Sequence, residues 1–284
     1  MASLLTSKSD EQQIGVGATE QLNLRVSVAS LIKLILINAG DGRRMLALER
    51  TATLRENQQK TEIMVKAKPF GGAVRLANQQ AFNNSIGDFH YDSQRSRQEA
   101  DLRIYINPAS WNRVKKLCKE HALNPQIGIL DYSPGRELAE EFKDTLQLGI
   151  NQDQYQVKFE AMVVEDQPVR TENVRSPGSM TTRIYYIFKA RIENNELISS
   201  LLANNQRYTD RDLRDLAFLD AQQGGGGRAN AVLVLPFAEL VKFYRSFPMK
   251  IRSGPLQFEK HPLAENVLAL MTEVHQNRYK IFIS

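Results

Sequence analysis

The stretch SPGRELAEEF, residues 133–142, begins with a serine and a proline that suit the N-cap and the first turn of a helix. It predicts a helix from about Arg136 to Leu146. Three glutamates of this helix are three or four positions apart and are expected to reach one side of it: Glu137, Glu140 and Glu141.

The acidic face of this predicted helix has two interpretations. Glutamates at these spacings repel each other by roughly 0.2–0.5 kcal/mol per pair in an isolated helix, unless a cation lies against them. Mg²⁺ would offset that repulsion, because it takes carboxylate oxygens, keeps several waters and bridges to phosphates. A solvated helix face carries similar runs of glutamate and needs no ligand. The ten residues alone leave both interpretations open.

Strands are predicted before the helix, at residues 24–38, 45–50 and 62–67. A glycine-rich turn joins the first two, and Pro69-Phe70-Gly71-Gly72 follows the third. This order predicts a hairpin, then a third strand, then a tight backbone segment at the two glycines.

The residues between the two glycines and the helix are more varied. Residues 78–96 are polar and predict an exposed loop. A strand, a helix and another strand are predicted after the loop, at residues 102–106, 108–121 and 127–130.

Downstream, strands are predicted at residues 156–164, 181–192 and 231–235, and helices at residues 196–204, 210–221 and 237–247. The four-glycine segment at residues 222–228 lacks the Lys-Ser/Thr ending of a P-loop and predicts a flexible loop or lid. Apolar residues of segment 262–276 fall on one helical face, so a closing helix packed on the body is predicted. Mixed strands and helices of this kind indicate an α/β fold.

The pattern Arg-Glu-apolar-any-Glu-Glu at residues 136–141 resembles the core of the Nudix box. The first strand, the second strand ending in Arg50, and Pro69-Phe70-Gly71-Gly72 resemble the family's approach to the box. Residues 184–190 and 234–240 resemble the family's segments after it. The resemblance covers roughly residues 24–247 and implies the family's fold, an α/β/α sandwich with a mixed sheet.

The resemblance also implies an activity, the hydrolysis of a nucleoside diphosphate linked to another moiety, with Mg²⁺ or Mn²⁺. The implied metal ligands are Glu137, Glu140, Glu141 and the backbone carbonyl of Gly72. Glu140 and Glu141 would also be catalytic, and Arg136 would orient a glutamate. In such sites metal ions neutralise phosphate charge and lower the pKa of the attacking water.

Basic residues near the predicted site could bind the phosphates of a nucleotide-like or other diphosphate substrate. Lys68 and Arg75 flank the two glycines, and Arg50 ends the second strand. Arginine can hold a phosphate with a bidentate fork, although a solvated surface role is open for all three. The family's late acidic residue has four possible positions here, each of which is also typical of a surface carboxylate: Asp210, Asp212, Asp215 and Asp220.

Two features depart from the family pattern. Gly72 and Arg136 are separated by an excess of about 50 residues, which predicts an inserted strand-helix unit at about residues 78–124, since loops accept long insertions at small entropic cost. The family's upstream glutamate falls on Gly128 counted back from Arg136, and on Asn78 counted forward from Gly72. The alternative function is therefore a non-catalytic Nudix-like module that binds a phosphorylated ligand or a protein partner. A helix face with no site is the third hypothesis.

Composition places the chain among ordinary globular proteins, with 42% hydrophobic and 24% charged residues and a net charge of +5. Such a charge favours phosphate-bearing partners without indicating nucleic acid or membrane. The single cysteine, Cys118, excludes an intramolecular disulfide and indicates a reducing, cytoplasmic compartment. The longest apolar segment, residues 26–39, is interrupted by Lys33 and is too short to span a bilayer.

The predicted domain organisation has three parts. Residues 1–21 form a flexible N-terminal arm, because they are polar and lack an apolar period. Residues 22–250 form the Nudix-like domain. Residues 251–284 form a helical extension that packs on the domain.

Overall fold

The computed structural model describes residues 23–38, 40–57, 60–145, 147, 149–151, 154–171, 176, 178–246, 256–274 and 280–283. The strands are β1 Leu24–Ile37, β2 Arg44–Asn57, β3 Lys60–Lys68, β4 Arg75–Leu76, β5 Phe89–Tyr91, β6 Arg103–Ile106, β7 Leu130–Asp131, β8 Tyr155–Arg170, β9 Met180–Ile192, β10 Arg228–Pro236, β11 Leu256–Phe258, β12 His261–Leu263 and β13 Lys280–Ile283. The α-helices are α1 Gln79–Ile86, α2 Gln94–Gln98, α3 Trp111–Leu123, α4 Pro134–Glu140, α5 Asn195–Arg207, α6 Asp210–Gln222 and α7 Phe237–Ser246. The predicted N-terminal arm lies outside the described residues.

One mixed sheet organises these elements, in the order β11-β12-β3-β2-β1-β9-β8-β13. Strand β1 runs parallel to β9 and antiparallel to β2, and β10 pairs with the other edge of β2. The sheet has helices on both faces, so the α/β class and the mixed sheet predicted from the sequence are confirmed.

Strand β1 changes partners along one edge, and this positions the site. Its first residues pair with β6, and its last residues, from Leu34 onward, pair with β2. In between, isolated bridges join Ala29 to Ala73 and Ile32 to Phe70. The segment after β3 therefore fills the gap between β2 and β6.

The two faces of β1 contribute to different clusters because successive side chains of a strand point to opposite sides. Ile32 and Leu34 pack with residues of α4 and α5 on the face that we call face A. Leu31 and Ile35 pack on face B with residues of α7 and of the 3₁₀ helix Glu265–Leu270.

The inserted residues pack onto the sheet. The sequence predicts an exposed loop at residues 78–96, and this prediction is wrong, because α1, β5 and α2 occupy residues 79–98. Asn78 and Ser93 cap the two helices by accepting hydrogen bonds from backbone amides, and Phe82 and Ile86 are fully buried. The predicted strand at 102–106 and helix at 108–121 are confirmed by β6 and α3.

A buried ion pair holds the insertion against β1. Arg25 of β1 donates to Asp92 from Nε at 3.0 Å and from Nη2 at 2.5 Å, and the two side chains are 3% and 1% exposed. Strand β6 pairs directly with β1 beside them. The insertion is thus a part of the sheet and its core.

The C-terminal residues differ from the prediction. The sequence predicts a helical extension, but β11 and β12 join the sheet beside β3, two 3₁₀ helices occupy Glu265–Leu270 and Thr272–Val274, and β13 pairs with β8. The helical prediction is wrong because Pro262, whose fixed φ suits an extended backbone, lies in the short strand β12. The apolar residues after it are buried by the two 3₁₀ helices. The predicted packing on the body is confirmed, since Val267 and Met271 are fully buried.

Other boundaries differ by several residues. The predicted strand at 127–130 is a 3₁₀ turn, Pro125–Ile127, followed by the short β7, because Gly128 adopts a left-handed φ of +69°. Strand β8 extends through a bulge to Arg170, beyond residue 164 where the predicted strand ends. The helix predicted from Arg136 begins at Pro134, and after Glu140 it continues as a π-turn, Glu141–Thr145.

Candidate functional site

The site is built around two glycines in the gap along β1. The Ser30 amide donates to the Gly72 carbonyl at 2.9 Å, and the Ile32 amide donates to the Phe70 carbonyl at 2.9 Å. Gly71 has φ of +119°, and a Cβ there would collide with the Ser30 backbone. Only glycine fits at this position, so the backbone can lie directly against β1.

Apolar side chains anchor helix α4 over this segment, on face A. Leu138 and Phe142 are fully buried, and the ring centroids of Phe142 and Phe70 are 5.6 Å apart. Leu138 and Phe142 are four residues apart and therefore lie on one side of the helix. Their burial fixes the side to which the residue before each of them points. Those residues are Glu137 and Glu141.

Two glutamates of α4 and its extension touch the glycine segment. Glu141 Oε2 accepts a hydrogen bond from the Gly71 amide at 2.8 Å. The carboxylate of Glu137 lies against Gly72 so closely that a Cβ on that residue would collide with it. The structure therefore brings Glu137 and Glu141 together with the Gly71–Gly72 segment.

A third glutamate, Glu49, lies beside Glu141. It is opposite Lys68 in the pairing of β2 with β3, and Lys68 Nζ lies 2.7 Å from Glu49 Oε2. Thr51 Oγ1 donates to Glu49 Oε1 at 3.0 Å. The side-chain amide of Asn230, oriented to donate, is 2.9 Å from Thr51 Oγ1 and 3.2 Å from Glu49 Oε1. These contacts fix the carboxylate of Glu49 on face A.

The carboxylates at the glycine segment have shifted acidities. Burial and the nearby charge of Glu49 raise the pKa of Glu141 to about 8, against the opposing effects of Lys68 and the Gly71 amide. Burial also raises the pKa of Glu137, although the charge of Arg136 opposes the shift. Negative charge here is thus only partly balanced by the protein itself.

Arg136 bridges the carboxylates on the outer side of α4. Its Nη2 lies 2.9 Å from Glu137 Oε1, and its Nη1 donates to Glu140 Oε1 at 3.0 Å. Asp131 is 3.8 Å from the same guanidinium. The prediction that Arg136 orients a glutamate agrees with these contacts. The Glu140 side chain is 51% exposed.

The three predicted phosphate-binding residues have different surroundings. Lys68 is half-exposed next to Glu49, and Arg75 lies in β4, opposite Asp131 of β7. Arg50 is buried on face B, where it pairs with Asp210 at 3.4 Å and donates to the Tyr208 carbonyl. Because Glu49 faces the site, its neighbour in the strand must face the other side. A substrate-binding role for Arg50 beside Glu141 does not fit this placement.

The four late aspartates make contacts around α6. Asp210 pairs with Arg50, Asp212 completes a capping box with Thr209, Asp215 is 4.0 Å from Arg211, and Asp220 accepts from the Arg228 amide. These contacts are those of helix-capping and surface carboxylates.

The donor set fits a hard divalent cation. Within the described residues, no group of three or more His, Cys, Asp or Glu side chains is gathered closely enough to form a metal cage. Mg²⁺ usually needs only one or two carboxylates, because waters and substrate phosphates complete its shell. Glu137 and Glu141 meet that requirement, and burial raises the pKa of both carboxyl groups. The Gly72 carbonyl accepts from Ser30 and keeps a second lone pair.

Sequence reasoning missed Glu49 and Asp131. Glu49 is a charged residue that directly follows the apolar segment Met45-Leu46-Ala47-Leu48 within one predicted strand, and this position was the signal in the sequence. Asp131 is five positions before Arg136, where the family pattern has no acidic residue. Only the turn at Ser133 brings its carboxylate toward the guanidinium.

Comparison of the chain with protein-family models, with curated proteins and with solved structures gives no match. Among the described residues, no helix is long and apolar enough to cross a membrane.

Proposed function

We propose that this chain is a Nudix-type hydrolase that uses Mg²⁺ to split a nucleoside diphosphate linked to another moiety. The observation that carries the proposal is the convergence of Glu137 and Glu141 on Gly71–Gly72. Helix α4, whose sequence resembles the Nudix box, and the two glycines are far apart in sequence, yet they lie at one polar site. The resemblance implies the same combination.

The electrostatics support a cation at this position. Burying carboxylates costs free energy unless a cation or hydrogen bonds balance them, and the raised pKa of Glu141, about 8, indicates incomplete balance. Glu49 adds negative charge from β2, and Lys68 offsets part of it. Carboxylates in such surroundings are typical of functional sites.

In the proposed reaction Glu137 and Glu141 would hold Mg²⁺. When bound, the ion supplies charge neutralisation on the diphosphate and acidifies a water. Arg136 keeps Glu137 in place through the contact at 2.9 Å. The Gly71 amide orients the carboxylate of Glu141, and the half-exposed Lys68 is positioned to bind a phosphate oxygen.

A hydrolysis assay tests the proposal. Nucleoside diphosphate-linked compounds are offered with Mg²⁺ or Mn²⁺ to the wild type, Glu137→Gln and Glu141→Gln. We expect turnover by the wild type and a loss of at least about 100-fold in each variant, because the amide cannot replace a charged metal ligand. Glu239→Gln, an exposed position on α7, is the matched control and should keep full activity.

The alternative function gives a different result. A non-catalytic module would show no turnover with any compound, while compounds would still bind equally well to the wild type and to both site variants. A second readout is the melting temperature, which Mg²⁺ should raise in the wild type and not in Glu141→Gln, since a ligand of the folded state alone stabilises it.

A further inference from the structure

A row of polar side chains leads away from Glu141 across β3, β2 and β10, on face A. Cross-strand partners share one face of a sheet, so the pairings define its members. Lys68 is opposite Glu49, Thr51 is opposite both Lys66 and Asn230, and Thr53 is opposite Arg228. We call this the polar strip, and it consists of Thr51, Thr53, Lys66, Lys68, Arg228 and Asn230.

The polar strip is open, whereas the other side of the same strands is covered. Ala52, Val65 and Ala231 are buried beneath Leu213 and Ala217 of α6 on face B. All six members of the polar strip are half-exposed or exposed. Helix α5 packs on face A near Val232, which is the partner of Glu49 in β10.

The strip is continuous with the candidate site and partly ordered by it. Thr51 and Asn230 hydrogen-bond to Glu49 and to each other, and Glu49 lies beside Glu141. Strands rise about 3.4 Å per residue, so the distance from the Glu49 row to the Thr53 row is roughly 14 Å. On this face of β3, Lys66 is followed by Met64, which is opposite Thr53, and then by exposed Glu62, so the basic side chains of β3 end at Lys66. That length matches one monosaccharide-sized group with its phosphates.

The chemistry of the strip selects a class of group. It offers two hydroxyls, one amide, two ammonium groups and one guanidinium, and these bind phosphate oxygens and hydroxyls. It has no aromatic ring, whereas nucleobases are commonly held by stacking on aromatic side chains. Lys66 is two residues from Lys68, so it would bind a second anionic group about 7 Å from the anionic group that Lys68 binds.

We infer that the polar strip binds the part of the substrate that extends from the reacting diphosphate, and that this part is a phosphorylated, hydroxyl-rich group such as a sugar or polyol phosphate. This inference rests on the proposed function for the position of the diphosphate. The binding itself depends only on the strip.

Binding without metal tests the strip apart from catalysis. Glucose 1,6-bisphosphate and adenosine are titrated calorimetrically into the wild-type full chain in EDTA, and into Lys66→Met, Thr53→Val and the control Lys158→Met, an exposed position on β8. We expect the bisphosphate to bind, at least fivefold weaker binding in Lys66→Met, two- to threefold weaker binding in Thr53→Val, and no change in the control.

The inference is overturned if Lys66→Met binds the bisphosphate as the wild type does, or if adenosine binds as tightly as the bisphosphate. The proposed function can fail separately. Specific binding that depends on Lys66, without hydrolysis of any diphosphate, would support ligand binding by the polar strip and contradict the proposed hydrolase function. Hydrolysis of diphosphates at rates that Lys66→Met leaves unchanged would support the proposed hydrolase function and contradict ligand binding by the polar strip.

Discussion

Two buried polar clusters lie on opposite faces of the sheet, and they are balanced differently. On face B, Lys33 is 1% exposed and donates to Glu160 at 2.8 Å and Glu273 at 2.9 Å. On face A, Glu137 and Glu141 converge on the glycine segment beside Glu49. The first cluster is centred on a buried cation, whereas the cations beside the second, Lys68 and Arg136, are 42% and 31% exposed.

The acidities show the consequence of this difference. Despite burial, the charge and hydrogen bonds of Lys33 hold the pKa of Glu273 below its usual value. Burial raises the pKa of Glu141 to about 8. A buried cation that keeps its carboxylates ionised stabilises the fold, whereas carboxylates whose pKa is raised by burial are suited to bind an external cation.

Gly71→Ala should break the face A cluster most severely. The φ of +119° is unfavourable for alanine, and the new Cβ would collide with the Ser30 backbone. We expect the free energy of unfolding to fall by about 3–4 kcal/mol in urea titrations. Gly42→Ala is the matched control, because Gly42 also has positive φ but nothing lies within 4 Å, and it should cost only about 1 kcal/mol. Equal losses in the two variants would contradict the tight packing of Gly71 on β1.

Lys33→Met should break the face B cluster. Removing the cation of a buried pair typically costs about 3–5 kcal/mol, and we expect about 3 because Glu160 and Glu273 remain partly hydrated. Urea titration measures the loss, with Lys158→Met as the exposed control. A loss below about 1 kcal/mol would show that the cluster contributes little to stability.

Glu141→Gln and Glu273→Gln should have opposite and smaller effects, measured by urea titration in EDTA at several pH values. The folded pKa of Glu141 is above its unfolded value, so ionisation costs stability as pH rises from about 4.5 to 8. Its glutamine variant should be more stable than the wild type by at least about 1 kcal/mol at pH 8 and equal at pH 4.

The folded pKa of Glu273 is lowered, so its contribution is present above the unfolded pKa and is lost as pH falls. Glu273→Gln should be less stable by about 0.5 kcal/mol at pH 7, a value discounted for its 40% exposed side chain, and equal to the wild type near pH 3. Parallel pH profiles for the two variants would remove the contrast between the clusters.

The sequence predicted the regular elements better than the irregular ones. Periodicity located β1, β9 and α3 within a few residues, because long apolar patterns depend on local spacing alone. It failed at residues 78–98, where only the caps at Asn78 and Ser93 marked short helices in a polar stretch. The C-terminal 3₁₀ turns were missed because their apolar residues mimic the pattern of an α-helix.

The site was predicted in part. Glu137, Glu141 and the two glycines lie together, although about 65 to 70 residues separate them along the chain. Glu49 and the position of Arg50 depend on the register of β2 against β3 and β10, which no local pattern specifies. A register shift of one residue would have exchanged their faces.

The pairing of β6 with β1 also concerns aggregation. Leu24, Val26 and their neighbours are hydrogen-bonded to β6, so the insertion covers an apolar strand edge. An uncovered edge of this kind can recruit strands from other molecules. Deleting residues 78–124 would expose that edge and leave Arg25 buried without Asp92. In this chain the insertion therefore also protects the sheet against self-association.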